Sequence, residues 1–301
     1  MSDRPDLETL DEPGRAAWLR RDAERISGAL PPLLVEADRL VASLLPGVHG
    51  RKRSGPGETF WQYRPAHPGD SLSQIDWRRS GRSDKLFVRE MEWEAAQSVM
   101  IWCDRSLSMA FKSERSPRTK GARAELLTLA LAVLLSRGDE RFGLLGTEAE
   151  IPTTGEAQLF RIGAILARAP DGRSFGAAPE ILRPRIGRAV YFSDFLGPEE
   201  EVLAPIRQAA KRGIAGVLVQ ILDPVEEDYP FGGRTKFVSL GQDIDYETDE
   251  AHALRSEYLG RLARRRDALA AAARGWRLIR HRTDESPRRA LLALHTALGG
   301  S

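Results

Sequence analysis

Residues 98–109 read Ser98-Val99-Met100-Ile101-Trp102-Cys103-Asp104-Arg105-Ser106-Leu107-Ser108-Met109. The first six residues form a short apolar run that ends in a polar loop, the pattern of a strand buried in a sheet. Asp104, Ser106 and Ser108 then alternate, so an extended loop turns three oxygen-bearing side chains toward one point. One carboxylate and two hydroxyls are a hard-oxygen set that suits Mg²⁺ or Mn²⁺. With neither His nor Cys among them they suit zinc poorly. The plainer reading is that Asp104 and Ser106 cap the helix that follows. Asp-x-Ser-x-Ser also arises by chance in ordinary compositions, so its place in the fold has to decide.

Downstream of this stretch the pattern alternates. A strongly apolar helix is predicted over Thr119–Ser136, ended by Gly138. Arg141–Leu145 and Glu148–Ile151 read as strands joined by a Gly-Thr turn, and Ala157–Arg168 as a helix. Arg188–Phe192 is a strand. Pro198 followed by Glu199, Glu200 and Glu201 opens a helix, because proline suits the first turn and acids suit its positive end. Ala215–Leu222 is a nearly all-apolar strand, as expected of a centre covered on both faces. A long helix from Thr248 to Gly275, a strand over Trp276–His281 and a helix over Pro287–Leu298 complete the chain. Such alternation predicts an α/β fold: a doubly wound, mostly parallel sheet with helices on both faces.

In such sheets ligands bind beyond the carboxyl ends of the strands. Asp194 stands there at the end of Tyr191-Phe192-Ser193-Asp194, and two carboxylates would then flank the hydroxyls. Ser174, in Asp171-Gly172-Arg173-Ser174-Phe175-Gly176, could add a third hydroxyl. The predicted metal set is Asp104, Ser106, Ser108 and Asp194, with Ser174 as a further ligand. The second carboxylate favours a metal over simple capping.

Upstream, Trp18, Leu19, Ile26, Leu30, Leu33, Leu34 and Leu40 recur at helical spacing, with a break at Pro31-Pro32. Residues 46–97 are rich in Gly, Pro, Ser, Arg and Asp, with short strands predicted over Thr59–Arg64 and Leu86–Trp93. The chain therefore divides into an N-terminal helical segment over 1–45, a small β-rich insertion over 46–97 and the α/β domain over 98–298.

The charge balance, 45 basic against 43 acidic residues, gives no global pull on nucleic acid or anionic lipid. Residues 46–90 are locally basic, with nine Lys or Arg and five Asp or Glu. Arg51, Lys52, Arg53, Arg64, Arg78, Arg79 and Arg82 beside Phe60, Trp61, Tyr63 and Trp77 form the alternative, a contact for phosphate or nucleic acid. A solvated face with Asp70 and Asp76 paired to arginines is favoured over it. The single thiol, Cys103, excludes an internal disulfide and reads as core. Met1–Asp11 lacks the basic-then-apolar order of a signal peptide. The run Leu126–Leu135 is half the ~20 residues of a membrane helix. A soluble, cytoplasmic chain with no membrane span is expected.

No Gly-x-Ser-x-Gly elbow and no Gly-x₄-Gly-Lys-Ser/Thr loop is present. His49, His67, His252, His281 and His295 are scattered without metal-ligand spacing. A metal-dependent phosphohydrolase is the enzyme alternative, since two aspartates, a metal and arginines can serve phosphoryl transfer. Against it, Arg105 and Ser106 stand where a phospho-aspartyl enzyme would favour a second acid. No catalytic residue is assigned.

Two resemblances follow from these residues. Asp104-x-Ser106-x-Ser108, with Asp194 later, resembles the metal-ion-dependent adhesion site (MIDAS) of von Willebrand factor A domains, and Ser174 stands near that family's usual threonine. Arg53-Ser54-Gly55-x-Gly57-Glu58-x-Phe60, then Arg64, Pro68-Gly69-Asp70, Ile75-Asp76-Trp77-Arg78, Ser80, Arg82 and Val88-Arg89-Glu90, resembles the signature of the bacterial family called domain of unknown function 58. That likeness covers most of residues 46–298, including His281-Arg282-Thr283-Asp284. It implies a von Willebrand factor A-like second half that binds Mg²⁺ (or Mn²⁺). It further implies a metal-dependent adaptor that couples a MoxR-type AAA ATPase to a protein client, with no established activity. A non-enzymatic role is expected, in which an acidic residue of the client replaces one water on the metal.

Overall fold

The decisive strand, β3 (Ser98–Cys103), is buried along its whole length. In the computed structural model of the chain, which describes residues 32–44, 59–65, 77–81, 86–92, 98–170, 172–183, 186–238 and 245–299, its alternate residues enter two different cores. Val99, Ile101 and Cys103 join one apolar cluster, and Met100 and Trp102 the other. A strand feeding two cores lies in a sheet covered on both faces. That sheet has five strands in the order β4 (Phe142–Leu144), β3, β5 (Ile186–Ser193), β6 (Ala215–Leu222) and β9 (Arg277–Arg282). All its pairings are parallel.

Helices α1 (Pro32–Leu44), α3 (Lys120–Arg137), α4 (Glu156–Leu166) and α8 (Pro287–Gly299) contribute to the first cluster. Helices α5 (Glu199–Lys211) and α7 (Arg255–Ala272) contribute to the second. The chain is thus α/β with a doubly wound parallel sheet. Helix α3 is buried nearly all round, which suits its run of Leu and Ala at the centre of one face. Thr119 caps it by accepting the Ala122 N–H at 3.1 Å. In α1, Leu34, Ala37 and Val41 are buried at steps of three and four, one face of a helix that starts at Pro32.

The chain divides into two compact units, one of residues 1–46 with 98–301 and one of residues 47–97. In the second, β1 (Thr59–Pro65) pairs antiparallel with β2 (Phe87–Glu92), with an irregularity between Phe60 and Gln62. A single helical turn, α2 (Trp77–Ser80), precedes β2, and the Ser80 hydroxyl accepts the Phe87 N–H at 2.9 Å.

Two sequence expectations are corrected. Glu148–Ile151 is a turn region, not a strand; Phe142 instead bridges antiparallel to Thr153. The long helix does not begin at Thr248, which ends β8 (Asp245–Thr248); a 3₁₀ turn over Ala251–Leu254 comes first. Two further elements were not expected: α6 (Pro224–Asp228), and β7 (Thr235–Val238), which pairs antiparallel with β8. The helical expectation over 14–31 falls outside the described residues.

Candidate functional site

The strand order places the site. From β3 the chain passes to β4 on one side, then returns to β5 on the other, so the direction of winding reverses between β3 and β5. Loops leaving the carboxyl ends of two such strands diverge and leave a crevice. Cys103 is in register with Phe192, and the Asp104 N–H donates to the Phe192 carbonyl at 2.9 Å. Asp104 and Asp194 therefore stand on the two banks of that crevice.

Asp104 is 1% exposed and doubly held. Its Oδ1 accepts the Ser106 N–H at 2.9 Å, and its Oδ2 accepts the Ser193 hydroxyl at 2.6 Å. Gly176 lies against it so closely that a Cβ there would fall 2.1 Å from Oδ1. Burial, followed by the nearby Asp194 charge, pushes the Asp104 carboxyl above its ordinary range. The Ser106 and Ser108 hydroxyls are 3.1 Å apart. Alongside them the Leu107 and Ser108 N–H groups donate to the Arg173 and Ser174 carbonyls, at 2.7 and 3.0 Å. This pairing is what carries Ser174 to the serine loop.

Asp194 is equally buried, and it is already ion-paired. Its Oδ1 accepts the Leu196 N–H at 2.9 Å, and its Oδ2 meets Lys120 Nζ at 2.8 Å. Lys120, 1% exposed in the first turn of α3, also meets Glu226 Oε1 at 2.7 Å. Burial pulls the ammonium down, but Asp194 and then Glu226 outweigh it and hold it above its ordinary range. Burial pushes Glu226 up, against the pull of Lys120. Glu226 is positioned by a reciprocal cap in which its Oε2 accepts the Asp223 N–H at 2.8 Å and Asp223 Oδ1 accepts the Val225 N–H. Behind Asp194, buried Gln220 donates to its carbonyl at 3.1 Å and accepts from Arg266 Nε at 2.8 Å.

Ser108, Ser174 and Asp194 line one cavity of about 1110 Å³. Its other walls include Phe111, Phe175, Tyr229, Phe237 and Tyr258. Tyr229 closes α6 in the left-handed region at φ 44°, and its ring packs on those of Phe231, Phe237 and Tyr258 at 5.1, 6.1 and 4.9 Å.

Among the described residues no three His, Cys, Asp or Glu side chains group as a metal site. Hydroxyls would have to supply much of any coordination. The serine pair suits that role: oxygens on an octahedral edge lie about 3.0 Å apart when Mg²⁺–O is about 2.1 Å, close to the 3.1 Å between these two hydroxyls. Ser106, Ser108 and Asp104 fit a hard cation, whereas Asp194 fits one only in competition with Lys120.

Of the basic signature, Arg64, Arg78, Arg89 and Glu90 fall in described elements, and Trp77 is 59% exposed. In the β1–β2 ladder Arg64 is opposite Val88, and Gln62 is opposite Glu90. Arg53, Ser54, Gly55, Gly57, Glu58, Gly69, Asp70, Asp76 and Arg82 lie outside the described residues.

Residues 62–268 match the profile of the family described as "Protein of unknown function DUF58". The chain belongs to the DUF58 family. This DUF58 chain is similar to "Uncharacterized protein Rv1480" of Mycobacterium tuberculosis, 27% identical over 267 residues that make up 84% of this chain and 83% of that protein. Among solved structures it resembles BatB from Bacteroides thetaiotaomicron, at 14% identity and TM-score 0.43 over 68% of this chain and 98% of that one. It also resembles the SpRpn10 VWA domain, at 12% identity and TM-score 0.35 over 66% of this chain and 95% of that one. No described helix of this DUF58 protein is long and apolar enough to cross a membrane.

Sequence reasoning about the site missed Lys120, Ser193, Gly176, Gln220 and Glu226. Glu226 had a signal: Asp223-Pro224-Val225-Glu226 follows the apolar strand β6 directly and has capping-box spacing. Lys120 had none, since a lysine opening a helix reads as solvated.

Proposed function

We propose that this protein is a non-enzymatic interaction module of the von Willebrand factor A-like, MIDAS type. In this reading Ser106, Ser108 and Asp104 hold Mg²⁺ or Mn²⁺, with Asp194 and Ser174 on the open side. The metal supplies a Lewis-acidic point that accepts a carboxylate from a protein client. The protein's own residues build the seat: Ser193 and Gly176 fix the Asp104 carboxylate, and the 173–174 backbone fixes the serine loop.

The observation that carries the reading is the shared cavity. Ser108, Ser174 and Asp194 open onto a space walled by aromatic rings. That suits a partner presenting an acidic residue flanked by apolar side chains, because aromatic pockets supply most of the affinity of such contacts. A MoxR-type AAA ATPase is the proposed partner on the other side of the adaptor. The phosphohydrolase reading is disfavoured by Asp104 itself: the bonds from Ser106 and Ser193 and the close approach of Gly176 hold its carboxylate still, which suits a fixed ligand and not a nucleophile that must move onto phosphorus.

The test is Mn²⁺ titration by electron paramagnetic resonance, together with co-purification with a MoxR-type ATPase in Mg²⁺ and in EDTA. The double variant Ser106→Ala/Ser108→Ala removes the hydroxyl pair and spares the Asp104–Ser193 bond. It is expected to lose Mn²⁺ binding and metal-dependent capture. Unchanged Mn²⁺ binding in that variant would refute the assignment.

A further inference from the structure

The carboxylate expected to complete the cation site already holds an ammonium. Lys120 Nζ lies 2.8 Å from Asp194 Oδ2 and 2.7 Å from Glu226 Oε1. All three side chains belong to the crevice edge, yet they arrive from separate segments: the first turn of α3, the loop after β5 and the turn after β6. The ammonium sits 5.8 Å from the centroid of the Phe111 ring, which closes another side. Lys120 is thus as much a bound cation as any metal would be, and it is tethered.

Resting on the metal-site reading above, we propose that Lys120 is the resident cation of this site and that a divalent ion competes with it for Asp194. Two cations sharing one buried carboxylate repel strongly, so a metal drawing on Asp194 must weaken the Lys120 pair. Glu226 is what makes the exchange possible. Its other oxygen is fastened to the Asp223 N–H, so it stays in place and keeps the ammonium paired after Asp194 turns away. Lys120 accordingly raises the divalent-ion concentration at which the site fills.

Two substitutions push in opposite directions. Lys120→Met keeps an unbranched side chain one atom shorter and removes its charge, and is expected to tighten Mn²⁺ binding at least tenfold. Glu226→Gln leaves Lys120 bound to Asp194 alone, and is expected to weaken Mn²⁺ binding at least threefold. Asp228→Asn, beside Glu226 in sequence but paired with Arg282 on the surface, is the control for general charge and is expected to change nothing.

The experiment is Mn²⁺ titration of the four full-length proteins by electron paramagnetic resonance, with thermal melts in Mg²⁺ and in EDTA. Mg²⁺ is expected to raise the melting temperature of Lys120→Met more than that of wild type, which also reads the exchange if that variant is destabilised. If wild type and Lys120→Met bind Mn²⁺ equally, or Asp228→Asn weakens binding as much as Glu226→Gln, the exchange is refuted while the metal site stands. If no protein of the set binds Mn²⁺, the metal reading falls and the exchange with it.

Discussion

Gly176→Ala tests the roof of the site. The added Cβ would lie 2.1 Å from Asp104 Oδ1, 2.2 Å from Cγ and 2.3 Å from Oδ2, about 1.3 Å inside ordinary contact at 3.4 Å. Something must move by an ångström or more. If the carboxylate moves, it surrenders the Ser193 hydroxyl at 2.6 Å and the Ser106 N–H at 2.9 Å. Hydrogen bonds to a charged group contribute roughly 1.5–3 kcal/mol each. If the 173–176 segment moves, the pairing of Leu107 and Ser108 with the Arg173 and Ser174 carbonyls goes instead, at about 1 kcal/mol per bond. The cheaper route sets the cost, so a loss of about 2 kcal/mol is expected. For a chain of this size that is a fall in melting temperature of roughly 4–8 °C.

Circular dichroism melts give the number, and a double-mutant cycle gives its cause. With Asp104→Ala in the background the Cβ meets empty space, so most of the cost should vanish and leave a coupling of about 2 kcal/mol. Gly163→Ala is the contrast. It lies inside α4 with its nearest neighbour, Leu129 Cδ2, at 3.8 Å. It should gain about 0.5–1 kcal/mol from helix propensity. A Gly176→Ala melt within 1 °C of wild type, or an undiminished cost beside Asp104→Ala, would refute the close approach.

Two further outcomes are expected. His281 is buried, and its Nε2 accepts from Arg123 Nη1 at 3.0 Å, so the ring is held neutral. Burial, and then Arg123, lower its pKa to about 3. The unfolded chain takes up this proton near pH 6.5 and the native one does not, so stability is full above pH 6.5 and falls by about 1.4 kcal/mol per unit below it until about pH 3. Urea midpoints at pH 7 and pH 5 should therefore differ less for His281→Gln than for wild type, and equal slopes would contradict the assignment. Tyr191 packs edge-on against Trp102 and Trp276, while its buried hydroxyl has no hydrogen-bond partner among the described residues. Tyr191→Phe keeps the rings and removes that group, so it should stabilise the fold by about 1 kcal/mol; a lower melting temperature would mean that the hydroxyl is satisfied after all.

The strands were legible because their chemistry is local. Ala215–Leu222 is apolar at nearly every position, since Val217, Val219 and Ile221 enter one core and Leu218 the other, and it matches β6 residue for residue. Ser98–Cys103 matches β3 for the same reason. Elements stabilised by one another were not legible. The β7–β8 hairpin is short and carries Phe237 and Tyr246 among polar residues, and Phe237 is held by the rings of Tyr229 and Phe231 from outside the hairpin. The same division runs through the site. Asp104, Ser106 and Ser108 declare themselves by spacing, and Asp194 by its place at a strand end. Lys120 and Ser193 acquire their roles only when separate segments meet, and nothing in the residues beside them records the meeting; Glu226 had only the capping-box spacing after β6 to mark it.

What separates this crevice from ordinary core is the distribution of buried polarity. At the carboxyl edge of the sheet Asp104, Ser106, Ser193, Asp194, Asp223, His281 and Thr283 are all buried, with Lys120 and Arg123 of α3 reaching in among them. At the amino ends of the same strands the buried polar residues among those described are Ser98 and the neutral Gln158, which donates to the Phe142 carbonyl at the start of β4. Stability does not explain that asymmetry. A buried ion pair generally contributes no more than well-packed apolar side chains of equal volume, and often less, because desolvation offsets the attraction. The amino edge is closed by the cheaper solution, and the carboxyl edge keeps three carboxylates and an ammonium at the point where the winding reverses. Replacing Lys120, Asp194 and Glu226 together by Met, Leu and Met should therefore leave the melting temperature equal or higher while abolishing Mn²⁺ binding. A triple variant that no longer folds would show instead that these charges hold the three loops together, and the case for a site would lose its energetic support.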